Sequence, residues 1–224
     1  MPAKPPVQQK TRILIVDDHP MLREGLTSLL GSQPDIEVCG EAENAAQALE
    51  MIAATQPAIV IADITLPGKS GIELIKDIVA MHPTVKTLAV SMHDEAVYAE
   101  RVLRAGARGY IMKKEGGKRI LEAVRKVRDG DVAVSEKMSA QILRIFSGTH
   151  GDSESPVRQL TDREFEVFEL LGRGLGTTQM AAELHISVKT VEVHRAHIRE
   201  KLGIKGGTEL IVYAVRWAQL AEDK

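Results

Sequence analysis

The chain has 224 residues, enough for one large domain or two modest ones, and its 44% hydrophobic and 27% charged residues give ordinary globular composition. No apolar run approaches the ~20 residues of a membrane span, the first ten residues lack the apolar core of a secretory signal, and the one cysteine, Cys39, excludes an internal disulfide or a cysteine zinc site, so a cytoplasmic protein without membrane association is expected. A net charge of -2 gives no overall basic signature of nucleic-acid binding, so any positive charge directed at nucleic acid must be local.

Residues 1–10 (MPAKPPVQQK) carry three prolines and no apolar periodicity and read as a disordered tail. An ordered domain is expected over residues 11–130. In it, short apolar runs at Ile13–Val16, Ile36–Cys39, Ile59–Ala62, Val85–Val90 and Tyr110–Met112 alternate with amphipathic stretches. These stretches are Pro20–Leu30, Ala45–Ala54, Gly71–Met81, Ala96–Ala105 and Lys118–Arg128. Short strands without polar alternation imply a sheet covered on both faces, and five successive βα units imply an α/β fold with a doubly wound parallel sheet. Residues 131–157 read as a connecting helix and linker, clearest at Ser147–Pro156 (SGTHGDSESP), which has nothing to bury. Residues 158–224 read as a small all-α domain of four helices. Thr161-Asp162-Arg163-Glu164 opens the first as a capping box, and Gly172–Gly176 ends it; Thr178–Leu184, Val188–Leu202 and Thr208–Leu220 follow.

The residues that follow each apolar run carry the chemistry. Ile13–Val16 leads into Asp17-Asp18, Ile59–Ala62 into Asp63, Val85–Val90 into Ser91, and Tyr110–Met112 into Lys113. In a parallel sheet all of these emerge at the carboxyl edge, where such folds place ligands. Three converging carboxylates repel one another and call for a cation, and hard oxygen donors of this kind suit Mg²⁺. A lysine and a hydroxyl suit a phosphoryl group, and a carboxylate can act as nucleophile toward phosphorus. Taken singly, each residue has a plainer reading: Asp17-Asp18 or Ser91 as a cap, Lys113 as a solvated charge, Asp63 as turn chemistry before Pro67-Gly68. Four independent caps at four strand ends, with complementary chemistry, is the weaker account.

These motifs resemble the receiver domain of response regulators: Val16-Asp17-Asp18-His19-Pro20, Asp63-Ile64-Thr65-Leu66-Pro67-Gly68, Ser91, and Gly109-Tyr110-Ile111-Met112-Lys113. The resemblance implies a flavodoxin-like five-stranded sheet of order 2-1-3-4-5 and Asp63 as phosphoacceptor. It further implies Asp17, Asp18, Asp63 and the backbone carbonyl of Thr65 as Mg²⁺ ligands, Ser91 and Lys113 as phosphoryl-binding groups, and Ser91 with Tyr110 as the switch. Spacing from Tyr110 favours Lys113 over the adjacent Lys114. Thr65 and His93 occupy positions where family members vary, and they are expected to set the lifetime of an aspartyl phosphate. The chain lacks the second acid of the Asp-x-Asp motif of aspartyl-phosphate phosphohydrolases, since Thr65 stands there. It is therefore not expected to be an enzyme beyond its own phosphorylation and dephosphorylation.

In Val188–Leu202, Val191, Ile198 and Leu202 fall in one narrow arc with Val188 and Arg195 at its edge. Lys189, Glu192, Val193, Ala196 and His197 lie opposite, a mixture that suits a helix in a major groove. His185–Lys205 carries five Lys or Arg against two Glu, while the rest of this domain is net acidic, so positive charge is focused on the helix. Leu160–Glu164, Glu166-Val167, Ile186–His194 and Lys201-Leu202-Gly203 closely resemble the LuxR-type helix-turn-helix. With the receiver, this identifies the chain with the NarL/FixJ class of response regulators. The resemblance places Glu192, Val193 and Ala196 against bases, and Thr178, Lys189, Thr190, Arg195 and Arg199 against phosphates. Glu192 stands where many members have Lys: it either accepts from cytosine N4 or pairs along the helix with Lys189 or Arg195. Leu210, Ile211, Ala214 and Ala218 resemble the family's dimer face; the alternative is that they are core. The partners implied are double-stranded DNA, a sensor histidine kinase, a second copy of the chain on phosphorylation, and RNA polymerase.

Overall fold

Each of the five apolar runs becomes a strand, and all five pair in parallel in the order β2-β1-β3-β4-β5. The strands are β1 (Thr11–Val16), β2 (Ile36–Ala42), β3 (Ile59–Ala62), β4 (Lys86–Ser91) and β5 (Tyr110–Met112). Between and after them run α1 (Pro20–Gly31), α2 (Ala45–Thr55), α3 (Gly71–Met81), α4 (Glu95–Arg104) and α5 (Gly117–Asp129). The computed structural model describes residues 10–140 and 156–222. The expected tail, except Lys10, and the expected linker, except Pro156, therefore lie outside the described residues. The connecting helix expected over 131–157 is described only through 140, with residues 136–140 helical.

By contacts the chain divides into two units. One is built from residues up to Glu95 with Val102–Val134, the other from Ala96–Arg101 with the residues from Ser135 on. In the first unit, the two-residue repeat of a strand sends alternate side chains to opposite faces. Ile13, Ile15, Ile59, Ile61, Leu88 and Val90 pack with Leu26 and Leu30 of α1 and with Ile120, Val124 and Val127 of α5. Leu14, Val16, Val60 and Ala62 pack on the other face with Ala45, Ala48 and Ile52 of α2 and Leu74 and Ile78 of α3. Both faces are covered, which is why the strands read as unbroken apolar runs. The register of β1 on β2 slips between Ile13 and Leu14, so Val38 pairs with Ile13 and Gly40 with Leu14.

α3 starts on a full capping box: Ser70 Oγ accepts from Glu73 N, and Glu73 accepts from Ser70 N. Its first residue, Gly71, donates its N–H to the carbonyl of Ile64 at 2.7 Å. A Cβ at Gly71 would lie 1.8 Å from the carbonyl oxygen of Asp63, so only glycine lets the helix seat against the turn after β3. The helix thereby braces the backbone that presents Asp63.

The second unit contains four α-helices after residue 160 among the described residues: α6 (Asp162–Gly172), α7 (Thr177–Glu183), α8 (Val188–Leu202) and α9 (Gly207–Glu222). Thr161 caps α6 reciprocally with Glu164, and Gly203 ends α8 at φ 68, as expected for a left-handed C-cap. The buried seam comprises Val167, Phe168, Leu171, Met180, Leu184, Val191, Ile198, Leu210 and Ala214. Trp217, the only tryptophan, packs its ring against Phe165 at 5.5 Å and Phe168 at 5.4 Å between centroids. No described helix is long and apolar enough to cross a membrane.

Two glycine substitutions test the bracing of the Asp63 turn. Gly71→Ala should lower stability by about 1–3 kcal/mol through overpacking. Gly25→Ala, in α1 with nothing within 4 Å of the added Cβ, should raise it by about 0.5–1 kcal/mol. Urea denaturation followed by circular dichroism reads both, and equal shifts for the pair would contradict the steric argument.

Candidate functional site

At the carboxyl edge of the sheet, Asp17 directly follows β1 and Asp63 directly follows β3, and both are buried at 2% and 4% exposure. Lys113, just past β5, bridges them: its Nζ is 2.7 Å from Asp17 Oδ2 and 2.6 Å from Asp63 Oδ2. Lys114 is exposed, so the lysine favoured by spacing is the one that turns inward. Asp18 completes the acidic group, with one ligand atom each from Asp17, Asp18, His19 and Asp63 within 4.8 Å of one another. The three carboxylates supply the hard oxygen set compatible with Mg²⁺; the His19 nitrogen is a softer donor that this ion uses little.

Three acids against one lysine leave the pocket short of positive charge. Burial pushes the Asp63 carboxyl above the ordinary range; the Lys113 charge pulls it back only in part, and the neighbouring Asp17 charge pushes it further. Burial alone would lower Lys113, but the charge of Asp63 and hydrogen bonds to Asp17 and Asp63 outweigh it, holding the amine above its usual value. Both shifts have one sense: a pocket with surplus negative charge holds its protons tightly. A cation entering it would meet preformed ligands.

Around Asp63 the polar groups form a relay through His93. Asp63 Oδ1 accepts from Thr65 N at 3.3 Å, and Thr65 Oγ1 lies 3.0 Å from His93 Nε2. The His93 N–H donates to Ser91 Oγ at 3.4 Å, and the Tyr110 hydroxyl donates to the His93 carbonyl at 2.8 Å. Ser91 and Tyr110 are fully buried. The structure thus gathers Asp17, Asp18, Asp63 and Lys113 directly, and ties Thr65, Ser91 and Tyr110 together through one histidine.

Sequence reasoning passed over His19 and Arg23. His19 Nδ1 lies 2.7 Å from Asp18 Oδ1 and 3.2 Å from Asp17 Oδ1. Arg23 Nη1 donates to the Asp17 carbonyl at 2.7 Å while its other nitrogens hold Glu41 and Glu43. The four-residue step from His19 to Arg23, one helical turn, was the available signal.

In the second unit, α8 buries Val191 and Ile198 and exposes Lys189, Glu192, Val193, Ala196 and His197, as expected from its periodicity, while Leu202 of the expected apolar arc is half-buried. Thr190 is drawn into the N-cap, where Ser187 Oγ accepts its N–H and the two hydroxyls lie 2.7 Å apart. Arg199 is half-buried and Thr178 is exposed. Of the two pairings open to Glu192 along the helix, the structure contains the one with Arg195, at 3.0 Å. Thr177, which sequence reasoning left just outside its helix, opens α7 and joins them: its Oγ1 donates to Glu192 Oε1 at 3.0 Å and accepts from Arg195 Nη1 at 2.8 Å. The four residues resembling a dimer face divide. Leu210 and Ala214 are fully buried core and Ala218 is half-buried, while Ile211 is 39% exposed beside an exposed Val212.

α8 is also anchored to α6. Lys201 Nζ is 2.7 Å from Glu164 Oε2, the same carboxylate oxygen that accepts from Thr161 N, so one buried glutamate closes a helix cap and pins α8. Burial opposes ionisation of Glu164, but bonds from Lys201 and Thr161 overcome it and hold the carboxyl below the ordinary range.

Comparison with known proteins bears on both units. Residues 13–125 match the response regulator receiver domain, and residues 158–214 match the bacterial regulatory proteins of the luxR family. Oxygen regulatory protein NreC of Staphylococcus carnosus is 36% identical over 92% of this chain and 97% of its own length. A LuxR-family two-component response regulator from Aurantimonas sp. is 32% identical over 62% of this chain and 99% of its own, with a TM-score of 0.57. RcsB of Salmonella enterica serovar Typhimurium, solved bound to promoter rprA with the phosphomimetic BeF3-, covers 92% of this chain and 99% of its own. Its 24% identity and TM-score of 0.61 speak to the fold alone.

Because the folded carboxyl of Glu164 lies below its unfolded value, its stabilisation is complete above the ordinary glutamate range and is lost as pH falls through the lower folded value. Glu164→Gln should cost about 1 kcal/mol at neutral pH and flatten the fall in stability between about pH 5 and 3. Since Trp217 is the sole tryptophan and packs on α6, its fluorescence during urea denaturation reports this unit. An unchanged acid limb in the variant would contradict the assignment.

Proposed function

The chain belongs to the response regulators that join a receiver domain to a LuxR-type DNA-binding domain, and from that premise we propose that phosphorylation of Asp63 by a sensor histidine kinase switches dimerisation and sequence-specific DNA binding to control transcription. The observation that carries this reading is the Lys113 bridge between Asp17 and Asp63, with Asp18 beside it, in a chain that also exposes a recognition-type helix.

In the proposed transfer, an Asp63 carboxylate oxygen attacks the phosphorus of a phosphohistidine. A P–O bond forms as the P–N bond breaks, and the bonding pair leaves with the imidazole nitrogen. Asp17, Asp18, Asp63 and the Thr65 carbonyl would hold Mg²⁺, which when bound neutralises charge on the carboxylates and phosphoryl oxygens. Lys113, already beside Asp63, takes one phosphoryl oxygen, and the Ser91 hydroxyl donates to another. Drawing Ser91 toward the phosphoryl group pulls on His93, and through its carbonyl on Tyr110, so occupancy at Asp63 biases a two-state surface. The chain acts as an enzyme only on its own phosphoryl group.

The phosphorylated form binds double-stranded DNA as a homodimer, each copy presenting α8 to a major groove with half-sites about one helical turn apart. The DNA-bound state solved for RcsB with a phosphomimetic is the state proposed for this chain. The setting is cytoplasmic, with RNA polymerase as the downstream partner.

The test is binding to a pool of promoter DNA in Mg²⁺, with and without acetyl phosphate or beryllofluoride, for wild type and Asp63→Ala. Tighter binding and dimerisation in wild type alone are expected; equal binding in every condition would mean that the receiver does not govern the DNA-binding module. A second prediction concerns the phosphoryl lifetime. Thr65→Ala and His93→Ala should each change the dephosphorylation rate, and the double variant should show a coupling on the order of 0.5–1 kcal/mol, the worth of their hydrogen bond. Single-turnover loss of radiolabelled phosphate measures it, and strict additivity would mean the pair does not act as a unit.

A further inference from the structure

We propose that Glu192 selects a C·G pair in each half-site by accepting a hydrogen bond from the N4 amino group of cytosine, with Thr177 and Arg195 holding its carboxylate in the reading position. This rests on the reading of α8 as the recognition helix and specifies which base that helix demands.

An acidic residue on a helix that meets DNA requires an explanation, since phosphates repel it. Glu192 is exposed on the same arc as Lys189, Val193 and Ala196. Its charge is offset locally by Arg195, and the hydroxyl of Thr177 adds a second donor from α7. Both bonds converge on Oε1, each at 3.0 Å. Oε2 accepts no hydrogen bond among the described residues, so the carboxylate has one oxygen fixed and the other open. Arg195, only 18% exposed, is held by the same triangle and serves to orient rather than to roam. A flexible surface glutamate would lose rotamer freedom on binding a base; this one has already lost it.

An ionised carboxylate only accepts, so it can read only a donor. The major groove offers two, cytosine N4 and adenine N6. Adenine N6 lies between two acceptors, its own N7 and thymine O4, both of which repel a carboxylate. Cytosine N4 has an acceptor on one side alone, guanine O6, with a C–H on the other. One free, oriented acceptor oxygen therefore favours cytosine. Val193 and Ala196, the exposed apolar neighbours on this arc, suit the edge of the same or the next pair, where a thymine methyl or the cytosine C–H presents no polar demand.

The test is selection from a randomised duplex pool by the full chain loaded with beryllofluoride and Mg²⁺, using wild type, Glu192→Gln, Glu192→Ala and Thr177→Val. Gln keeps an acceptor for Thr177 and Arg195 but replaces the open oxygen with a donor, so the clamp survives while the reading chemistry is reversed. Wild type should enrich C·G at one position of each half-site. Glu192→Gln should lose that preference by about 10-fold and move toward adenine, whose N6 and N7 match an amide. Glu192→Ala should bind with no preference at that position. Thr177→Val should retain C·G with weaker discrimination. Trp217 fluorescence on denaturation confirms that each variant is folded. If wild type, Glu192→Gln and Glu192→Ala enrich the same base everywhere, Glu192 is a clamp between α7 and α8 and the proposal is wrong. If wild type enriches no sequence at all, the recognition-helix reading itself falls, a result distinct from loss of preference at one position.

Discussion

The first unit is organised around an electrostatic deficit. Two buried carboxylates, Asp17 and Asp63, share one lysine, Lys113, and Asp18 adds a third negative group within ligand distance. Such a cluster is costly to bury in the absence of further charge: burial raises the Asp63 carboxyl, and against burial the charge of Asp63 and the bonds to Asp17 and Asp63 raise the Lys113 amine. The apolar sheet carries this cost. Its strands are covered on both faces, and their carboxyl ends bring the acids to one edge. α3 then seats its first glycine against the Asp63 carbonyl, so the turn bearing the central acid has little freedom. A site held under unfavourable charge by a rigid frame responds strongly to a cation or a phosphoryl group, because either changes the balance that the frame maintains.

His93 is where that balance can be transmitted. Its ring meets Thr65, whose own N–H serves Asp63; its N–H meets Ser91; its carbonyl meets Tyr110. A displacement of any one of these groups changes the bonding of the other two. The hydroxyls of Tyr110 and Ser91 are therefore linked through backbone atoms of one residue, a shorter path than packing alone would provide.

Much of this was legible in the chain. The parallel sheet and the gathering of Asp17, Asp18, Asp63 and Lys113 follow from unbroken apolar runs, four of which lead into a polar residue, because a parallel sheet puts every carboxyl end on one edge; the strand order came with the resemblance to receiver domains. The helix from Val188 to Leu202 emerged from its cap, its periodicity and its terminal glycine. Interactions that depend on rotamers across elements were not legible. Thr177 lies fifteen residues from Glu192, and no local pattern links them until α7 is seated on α8. The hub role of His93 depends on a backbone carbonyl, which no side-chain motif records. The face of α9 divided because Leu210 and Ala214 belong to the seam and Ile211 to the surface, a distinction of one helical step that apolar identity alone cannot make.

The charge on α8 is likewise less free than its composition suggests. Of the five cations between His185 and Lys205, Arg195 is bound to Glu192 and Lys201 to Glu164. Lys189, Arg199 and Lys205 have no carboxylate partner among the described residues. Two of the positive charges therefore act first as structural counterions: one fixes a glutamate on the exposed arc, the other fixes the helix to α6. With these two engaged, fewer cations are left for phosphates. In the proposed reading, discrimination comes from what the exposed arc presents to base edges and from the pairing of two copies. In such a helix an acidic residue is not a flaw in a basic surface. In the proposed reading it converts a charge that would bind any DNA into the means of holding a group that reads one base.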